Sequence, residues 1–320
     1  MPSADIQVPP PAPEPDAAAL LRQRQYEMRV RNIAEKVEER KCILFLGSAI
    51  HAPAPVGSKY DYPPDKCPPI GGQLADLLAT DCNYPDSDRW NLQRVSWYYE
   101  YQTGFRSELV NRVNEAVHEN REPSPILRGL ARLGFSIVIT TNYDQLYEKA
   151  LGQVQPAASG GAQGPGFNKC IYSPKNTVRT VDCAAEPSVD RPYLLKVHGD
   201  LDHPDSIVIT DEDYIQFVLR MGDKHPYHPV GKNVLTHLIN WPTLFIGYRL
   251  SDYNLRLLFK TLRWKMDRAS IPASYAVDRK PDVLIRASME NQQIVSFIEK
   301  DLWEFVPDLY KAVTGGEMPQ

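Results

Sequence analysis

Four short, mainly apolar runs, each followed by small or polar residues, most constrain the fold of this chain. The runs are residues 42–46, 136–140, 193–197 and 243–246. Runs of this kind are expected for strands that are covered on both faces of a sheet. Segments with a helical spacing of apolar residues separate them along the chain. This alternation predicts an α/β fold built on a doubly wound, mostly parallel sheet.

Composition divides the chain into three parts. Residues 1–19 are rich in proline, alanine and acidic side chains, which predicts a disordered arm. Residues 20–287 contain the predicted strands and form the main domain, with a helical insertion at about 71–132 between the first two strands. Residues 288–320 are predicted to form a carboxyl-terminal helix and tail.

Several shorter segments carry local predictions. A helix is predicted over residues 143–151, and a short strand over residues 206–209. Residues 153–168 are rich in glycine and alanine, which predicts a flexible loop. One amphipathic helix is predicted over residues 289–313, with a break expected at Pro307 because proline removes a helix hydrogen bond.

The overall charge and the cysteine content exclude several classes of protein. The formal net charge is −4 and the pI about 6.0, so direct nucleic-acid binding through bulk charge is not expected. None of the five cysteines has CxxC spacing, which argues against a four-cysteine zinc module and a disulfide framework. The same cysteine usage predicts a cytoplasmic protein. No membrane contact is expected, since no apolar run approaches the roughly 20 residues that span a bilayer.

The residues that follow the predicted strands are candidates for a ligand site. The carboxyl ends of parallel strands share one edge of a sheet, and open α/β sheets bind ligands there. Gly47, Asn142, His198 and Gly247 are therefore expected to lie close together. An asparagine and a histidine on one rim favour a nucleotide site with a base, because imidazole titrates near neutrality.

Two of these residues also have structural explanations. Asn142 can cap a helix over residues 143–151, with Gln145 completing a capping box. His198 can be a buried imidazole that is bonded to a carbonyl or to Asp200. Taken alone, capping is the favoured interpretation of Asn142.

The small residues Gly47, Ser48 and Ala49 lie where a dinucleotide-binding fold makes its phosphate turn. Their backbone N–H groups could approach a pyrophosphate, although the full GxGxxG pattern is absent. An ordinary turn is the favoured interpretation of this segment alone. Asp252 follows the last of the four runs and is equally explained as a helix cap.

The order of these motifs resembles the SIR2-like, sirtuin-related family. The resemblance rests on FLGSA at residues 45–49, TTNYD at 140–144, KVHGD at 196–200 and FIGYRLSD at 245–252. It covers about residues 40–280 and implies a Rossmann-like, NAD-binding domain. The loop after the first run departs from the family at Ala49 and His51. His51 is expected either to contact a phosphate or ribose or to be exposed.

Within the family, the chain is more similar to bacterial antiphage effectors that hydrolyse NAD+ to ADP-ribose and nicotinamide. Protein deacylases of the family carry a four-cysteine zinc module, which this chain cannot build. They also carry an arginine-bearing loop where this chain has residues 52–69. The resemblance therefore implies an NAD+ hydrolase that takes NAD+ as its substrate, uses no zinc and is activated by assembly or by a partner.

The resemblance also implies roles for individual residues. Asn142 and His198 match the catalytic pair. Asp144 is expected to bind the carboxamide of nicotinamide, and Asp252 to lie on the adenosine side. The residues expected to contact NAD+ are Gly47, Ser48, Ala49, Thr141, Asp144, Gly247, Tyr248 and Asp252.

Partners and alternative functions complete the predictions. Effectors of this branch commonly form homo-oligomers, and some act with a HerA-type ATPase or an Argonaute-like protein. One alternative is an NAD-dependent protein deacylase, and a second is a non-catalytic sensor of NAD+ or ADP-ribose. A third is a scaffold subunit of a larger ring.

Overall fold

A computed structural model shows seven strands that form one parallel sheet in the part of the chain that it describes. That part comprises residues 17–85, 87–154, 166–173, 186–220, 230, 232–248, 250, 272–291 and 295–320. The strands are Ile43–Leu46 (β1), Ile137–Thr140 (β2), Asn168–Ile171 (β3), Tyr193–Lys196 (β4), Thr243–Ile246 (β5), Ser274–Val277 (β6) and Val295–Ile298 (β7). Their order across the sheet is β3-β4-β2-β1-β5-β6-β7. The predicted α/β, Rossmann-like fold is confirmed.

Helices flank this sheet. Those in the described residues are Ala17–Glu38 (α1), Gly71–Asp81 (α2), Leu92–Thr103 (α3), Arg106–Val117 (α4), Pro125–Arg132 (α5), Leu146–Val154 (α6), Asp211–Arg220 (α7), Lys232–Asn240 (α8), Val283–Asn291 (α9) and Leu302–Thr314 (α10). Helices α2 to α5 lie between β1 and β2 in the chain, where the sequence predicts an insertion.

Both faces of the central strand β1 are buried. Ile43 and Phe45 belong to a cluster that includes Phe217 of α7. Leu44, which lies between them, belongs to a different cluster with Val37 of α1. Since successive strand residues point to opposite faces, helices cover β1 from both sides. This arrangement explains why the strand is continuously apolar.

The insertion helices have a core of their own. Leu78 of α2, Val95 of α3 and Val113 of α4 are fully buried in one cluster. Tyr143, from the loop after β2, and Ile207, from the loop before α7, are buried in the same cluster. Apolar contacts therefore join the insertion to the loops at the carboxyl ends of the strands.

The carboxyl-terminal segment differs from the prediction. Instead of one helix over residues 289–313, the chain forms the end of α9, the strand β7 and then α10. Val295 and Phe297 are buried, and β7 pairs in parallel with β6. Short apolar stretches fit a helical and a strand period equally well, so the partner strand decides the outcome. The predicted break is also wrong, because α10 continues through Pro307.

Three other local predictions need correction. Residues 206–209 do not form a strand, and the helix after β2 begins at Leu146 rather than at residue 143. Strand β3 occurs within a region that the sequence does not predict as sheet. It begins with the polar residues Asn168 and Lys169 and lies at the sheet edge, so it lacks the apolar run of a central strand.

Some predictions fall partly or wholly outside the described residues. They are the amino-terminal arm up to residue 16, most of the loop 153–168, and Asp252 with its helix.

Cys42, Cys67 and Cys82 are free thiols, whereas Cys170 is disulfide-bonded, which the sequence did not lead us to expect. None of the described helices combines the length and the apolar composition needed to cross a membrane.

Candidate functional site

A cleft of about 770 Å³ is lined by the loops that follow β1, β2, β4 and β5 and by residues of the insertion. The predicted site residues that line it are Ser48, Thr141, Asn142, Asp144, His198, Gly247 and Tyr248. Two further predicted residues, Gly47 and Ala49, do not line it. Residues from four separate strand ends therefore converge on one cleft, as the sequence predicts.

The order of the strands explains the position of the cleft. β1 has β2 on one side and β5 on the other. The chain proceeds from β1 to β2, β3 and β4 on one side of β1, and then crosses to β5 on the opposite side. This reversal is a topological switch point, the place where open α/β sheets bind ligands. The register brings the strand ends level, since Leu46 lies opposite both Thr140 and Ile246.

Gly47 and Gly247 bring the loops after β1 and β5 into backbone contact. The N–H of Ala49 donates to the carbonyl oxygen of Gly247 at 3.1 Å. A Cβ atom on Gly47 would lie 2.5 Å from that same oxygen. Gly247 has a φ of +75°, a left-handed conformation that favours glycine. Both glycines thus have a packing role that the sequence-based assignment to NAD+ binding did not include.

Replacing Gly47 with alanine is expected to destabilise the protein by about 1–3 kcal/mol, because the new methyl group would overlap backbone atoms. Gly72 of α2 is the matched control, since a Cβ atom there would meet nothing within 4 Å. Gly72→Ala is expected to be neutral or slightly stabilising. Denaturant unfolding of both variants measures the difference. A Gly47→Ala protein as stable as the wild type would contradict the close packing of the two loops.

Asn142 lies in the loop between β2 and α6, and local hydrogen bonds hold that loop. The N–H of Asn142 donates to Oγ1 of Thr140 at 3.0 Å. The N–H of Leu146, the first residue of α6, donates to Oδ1 of Asp144 at 2.9 Å. Asn142 therefore does not cap this helix, and that structural explanation is wrong. Its side-chain Nδ2 instead lies 3.3 Å from Nε2 of His51.

Asp144 and Lys196 anchor the same loop. Oδ2 of Asp144 lies 3.2 Å from Nε2 of His51. Burial opposes ionisation of Asp144, but His51 and Lys196 outweigh it and hold the pKa of the carboxyl below its ordinary value. Nζ of the fully buried Lys196 donates to the carbonyl oxygens of Tyr143 at 3.1 Å and of Asp144 at 2.5 Å. A buried cation thus holds two consecutive backbone carbonyl groups of this loop.

His198 occupies a tight turn after β4. Its ring centroid lies 5.1 Å from that of Tyr214 and 5.2 Å from that of Phe217, and Nδ1 lies 3.4 Å from the Tyr214 hydroxyl. Burial lowers the pKa of His198 to about 3, so the imidazole is neutral near pH 7. Asp200, the alternative partner that the sequence offers, instead pairs with Lys196 at 2.9 Å. His198 is thus a neutral imidazole that lines the cleft.

The low pKa of His198 predicts an unusual pH dependence. The ring is neutral throughout the neutral range, so kcat/KM for NAD+ should show no acid limb near the ordinary histidine pKa of 6.5. In the unfolded chain His198 takes up a proton near pH 6.5, whereas in the folded chain it does not. The free energy of unfolding should therefore fall as the pH drops below 6.5. Rate profiles and denaturant unfolding across this range test both statements. An acid limb in kcat/KM near pH 6.5 that disappears in His198→Gln would contradict the predicted rate profile.

A short hydrogen bond links two of the loops across the cleft. Oγ1 of Thr141 lies 2.6 Å from the hydroxyl of Tyr248. The ring of Tyr248 packs edge-on against Phe45, with centroids 5.1 Å apart. The loops after β2 and β5 are therefore tied together above β1, the strand that separates them in the sheet.

Sequence comparison identifies the family. The model of the SIR2-like domain family matches residues 136–300, just over half of the 320-residue chain. This chain belongs to the SIR2-like domain family. Among its described residues, no group of three or more His, Cys, Asp or Glu side chains is arranged to hold a metal ion.

Relatives of this SIR2-like chain include two proteins named as NAD+ hydrolases and one named as a defence-associated sirtuin. A protein named NAD(+) hydrolase ThsA from Acinetobacter baumannii is 26% identical over 290 residues, and one of the same name from Enterococcus faecium is 27% identical over 209 residues. Defense-associated sirtuin 2 from Bacillus subtilis is 26% identical over 284 residues. The alignments cover 88%, 65% and 85% of this chain but only 52%, 39% and 24% of the relatives. The SIR2-like chain thus spans about half or less of each relative.

Sequence reasoning missed or misjudged parts of the SIR2-like site. His51 is not exposed, since only 2% of it is accessible. Its ring instead contacts Asn142 and Asp144, which the sequence did not predict. Its position shortly after β1 was a usable signal. Tyr214, which contacts His198 from α7, gave none, because a tyrosine in an amphipathic helix is an ordinary core residue. Asp252 lies outside the described residues.

Proposed function

We propose that this SIR2-like protein is an NAD+ hydrolase that releases nicotinamide and ADP-ribose from NAD+. The observation that carries the proposal is that Asn142 and the neutral His198 line one cleft at the switch point of the sheet. The volume of about 770 Å³ lies within the usual range of small-molecule sites. The names of the A. baumannii and E. faecium relatives support the same activity.

The reaction breaks the bond between ribose C1′ and the nicotinamide nitrogen and forms a bond between C1′ and a water oxygen. Nicotinamide leaves with the bonding electron pair and becomes neutral, because its ring nitrogen is cationic in NAD+. No strong general acid is therefore needed. The transition state resembles an oxocarbenium ion, as in other glycosidic cleavages. The protein has to hold the ribose and position the water.

Asn142 and His198 divide these tasks in the proposed mechanism. Asn142 hydrogen-bonds a ribose hydroxyl or the attacking water through its amide. His198 accepts the proton that the water loses. A base with a low pKa suffices, because water that has added to an oxocarbenium carbon is itself strongly acidic. The contact between Tyr214 and Nδ1 holds the ring in one orientation.

The remaining cleft residues are proposed to bind the rest of NAD+. Ser48, Thr141, Gly247 and Tyr248 line the cleft beside the catalytic pair, which agrees with the contacts that the family resemblance implies. Asp144 is proposed to accept from the nicotinamide carboxamide. Its oxygens already accept from Leu146 and face His51, but each carboxylate oxygen has a second lone pair available.

The biological setting is proposed from the relatives. The name of the B. subtilis relative places it in defence, and an NAD+ hydrolase that depletes the host cofactor suits an abortive response to phage. Assembly into a homo-oligomer or with a HerA-type ATPase, and a cytoplasmic location, stay predictions from the sequence. Control by assembly is part of the proposal, since unregulated hydrolysis would harm the cell.

Incubation of the purified protein with NAD+, followed by chromatography of the products, tests the function. Release of nicotinamide and ADP-ribose in equal amounts is the expected result. The assay is repeated over a range of protein concentrations to detect activation by assembly. NAD+-dependent turnover of an acetyl-lysine peptide would instead indicate a deacylase. Calorimetric binding of NAD+ without turnover at any protein concentration would indicate a sensor.

A further inference from the structure

His51 lies between two residues of the candidate site. It ends the 3₁₀ turn Ser48–His51 after β1 and lines the cleft, although only 2% of it is exposed. Its Nε2 atom lies 3.3 Å from Nδ2 of Asn142 and 3.2 Å from Oδ2 of Asp144. One nitrogen atom therefore faces an amide and a carboxylate at hydrogen-bonding distance.

All three side chains are satisfied only when Nε2 of His51 carries a hydrogen, whether or not Nδ1 also carries one. Nε2 can donate one hydrogen or accept one, but it cannot do both. The ionised Asp144 is only an acceptor, so a hydrogen on Nε2 makes a charge-assisted bond to it. A hydrogen on Nδ1 instead would leave the lone pair of Nε2 facing the carboxylate. Nδ1 is buried and has no hydrogen-bond partner among the described residues, which further disfavours that tautomer.

The hydrogen on Nε2 of His51 also decides the orientation of the Asn142 amide. An N–H at Nε2 cannot accept a hydrogen from the amide NH2 group. The carbonyl oxygen of Asn142 must then face His51, which exchanges the two amide atoms, a change that leaves the shape of the side chain the same. The NH2 group is thereby directed away from His51 and is available to a ligand in the cleft.

We propose that His51 is a positioning residue that holds Asn142 with its NH2 group presented to the substrate as a hydrogen-bond donor. The effect on catalysis rests on the proposed NAD+ hydrolase function, whereas the tautomer does not. In the proposed mechanism, the NH2 group donates to an oxygen atom of the ribose or of the attacking water. Asp144 completes a chain of three side chains from the start of α6 to the cleft.

The turn that carries His51 is held by contacts to the core. Within the turn, the N–H of Ile50 donates to the carbonyl oxygen of Gly47 at 3.1 Å. On its far side, Nε1 of Trp303 in α10 donates to the carbonyl oxygen of Ala52 at 3.3 Å. Backbone contacts therefore hold the chain on both sides of His51, as expected of a residue that orients another.

Steady-state kinetics of two variants test the positioning role. His51→Leu fills similar space without hydrogen bonds, and it should lower kcat for NAD+ by about 100-fold while KM changes little, because a misplaced catalytic group costs about that much. His51→Gln can donate from its amide to Asp144 and should recover most of that loss. Equal rates for His51→Leu and the wild type would overturn the proposal, as would a His51→Gln protein as slow as His51→Leu.

A double variant separates positioning from a general loss of folding. If His51 acts through Asn142, then adding His51→Leu to Asn142→Ala should cause almost no further loss in kcat. A merely structural role would lower kcat in both backgrounds by the same factor. Thermal unfolding of each protein identifies any variant that fails to fold. In that case the comparison rests on His51→Gln, which keeps a polar group at the same place.

Nuclear magnetic resonance tests the tautomer independently of any activity. Long-range ¹H–¹⁵N spectra of histidine-labelled protein are compared with those of His51→Gln, which assigns the signals of His51. A proton on Nε2 is expected, and a neutral ring with its proton on Nδ1 would overturn the inference. A protein that binds NAD+ without cleaving it at any protein concentration, but shows the Nε2 proton, would refute the proposed function and retain the orientation of Asn142. A protein that cleaves NAD+ but carries its His51 proton on Nδ1 would support the proposed function and refute the orientation of Asn142.

Discussion

Removing either member of the Asn142–His198 pair is expected to reduce kcat/KM for NAD+ strongly. Loss of a general base costs about 10²–10⁴-fold, so His198→Ala should fall in that range. Loss of one positioned hydrogen bond at the reacting centre costs about 10²–10³-fold, which is the expectation for Asn142→Ala. Nicotinamide release measured by chromatography gives both values. Unchanged turnover in both variants would refute the assigned roles.

Matched controls make these two results specific. Asn114 of α4 carries the same amide side chain as Asn142 but does not line the cleft, so Asn114→Ala should stay close to the wild type. His203 lies in the same loop as His198 but is not among the cleft residues, and His203→Ala should also stay close to it. Circular dichroism of all four variants shows whether the fold is retained. Losses of similar size in the controls would indicate that the assay reports on folding rather than on chemistry.

Replacing Lys196 with methionine is expected to destabilise the fold by about 3–5 kcal/mol, the usual cost of leaving a buried charge without its partner. Nζ of Lys196 lies 2.9 Å from Asp200, which is also fully buried, and 3.2 Å from Glu148. Without Lys196, these carboxylates and the carbonyl oxygens of Tyr143 and Asp144 lose their shared donor. The free energy of unfolding, measured by denaturant titration, checks the value.

Lys169 provides the matched control for Lys196. Its Nζ lies 2.7 Å from the same Asp200, but its side chain is 21% exposed, so water can replace part of the lost interaction. Lys169→Met should therefore cost less, about 1 kcal/mol. Lys196→Met combined with Asp200→Asn should be less destabilised than Lys196→Met alone, because one unpaired charge is removed with the other. Equal costs for both lysines would contradict the argument from burial.

The central part of the fold could be predicted because its signals are local. β1, β2, β4 and β5 are buried on both faces, so each is mainly apolar in the sequence. β3 and β7 could not be predicted in the same way. β3 begins with polar residues, and the apolar residues of β7 fit a helical pattern as well as they fit a strand. Pairing with a neighbouring strand decides such cases, and the sequence does not show which segments become neighbours.

In the candidate site, too, the features with a local signal could be predicted and those that depend on packing could not. Parallel strands place their carboxyl ends at one rim, so Asn142 and His198 could be assigned to one cleft from the order of the motifs. Their partners could not. Lys196 appears as a polar interruption at the end of an apolar run. Its buried contact with Glu148 depends on how α6 packs against the sheet, and its contact with Asp200 depends on the turn that follows β4.

The sequence by itself determined the α/β class, the four strand ends that form the cleft and the SIR2-like motifs. These features depend on the type and spacing of residues close together in the chain. Only the tertiary structure decided that Gly47 packs on Gly247, that Tyr248 bonds to Thr141, and that His51 lies between Asn142 and Asp144. Each of these contacts joins loops that are far apart in the chain, and the packing of the strands beneath them brings those loops within a few ångströms of one another.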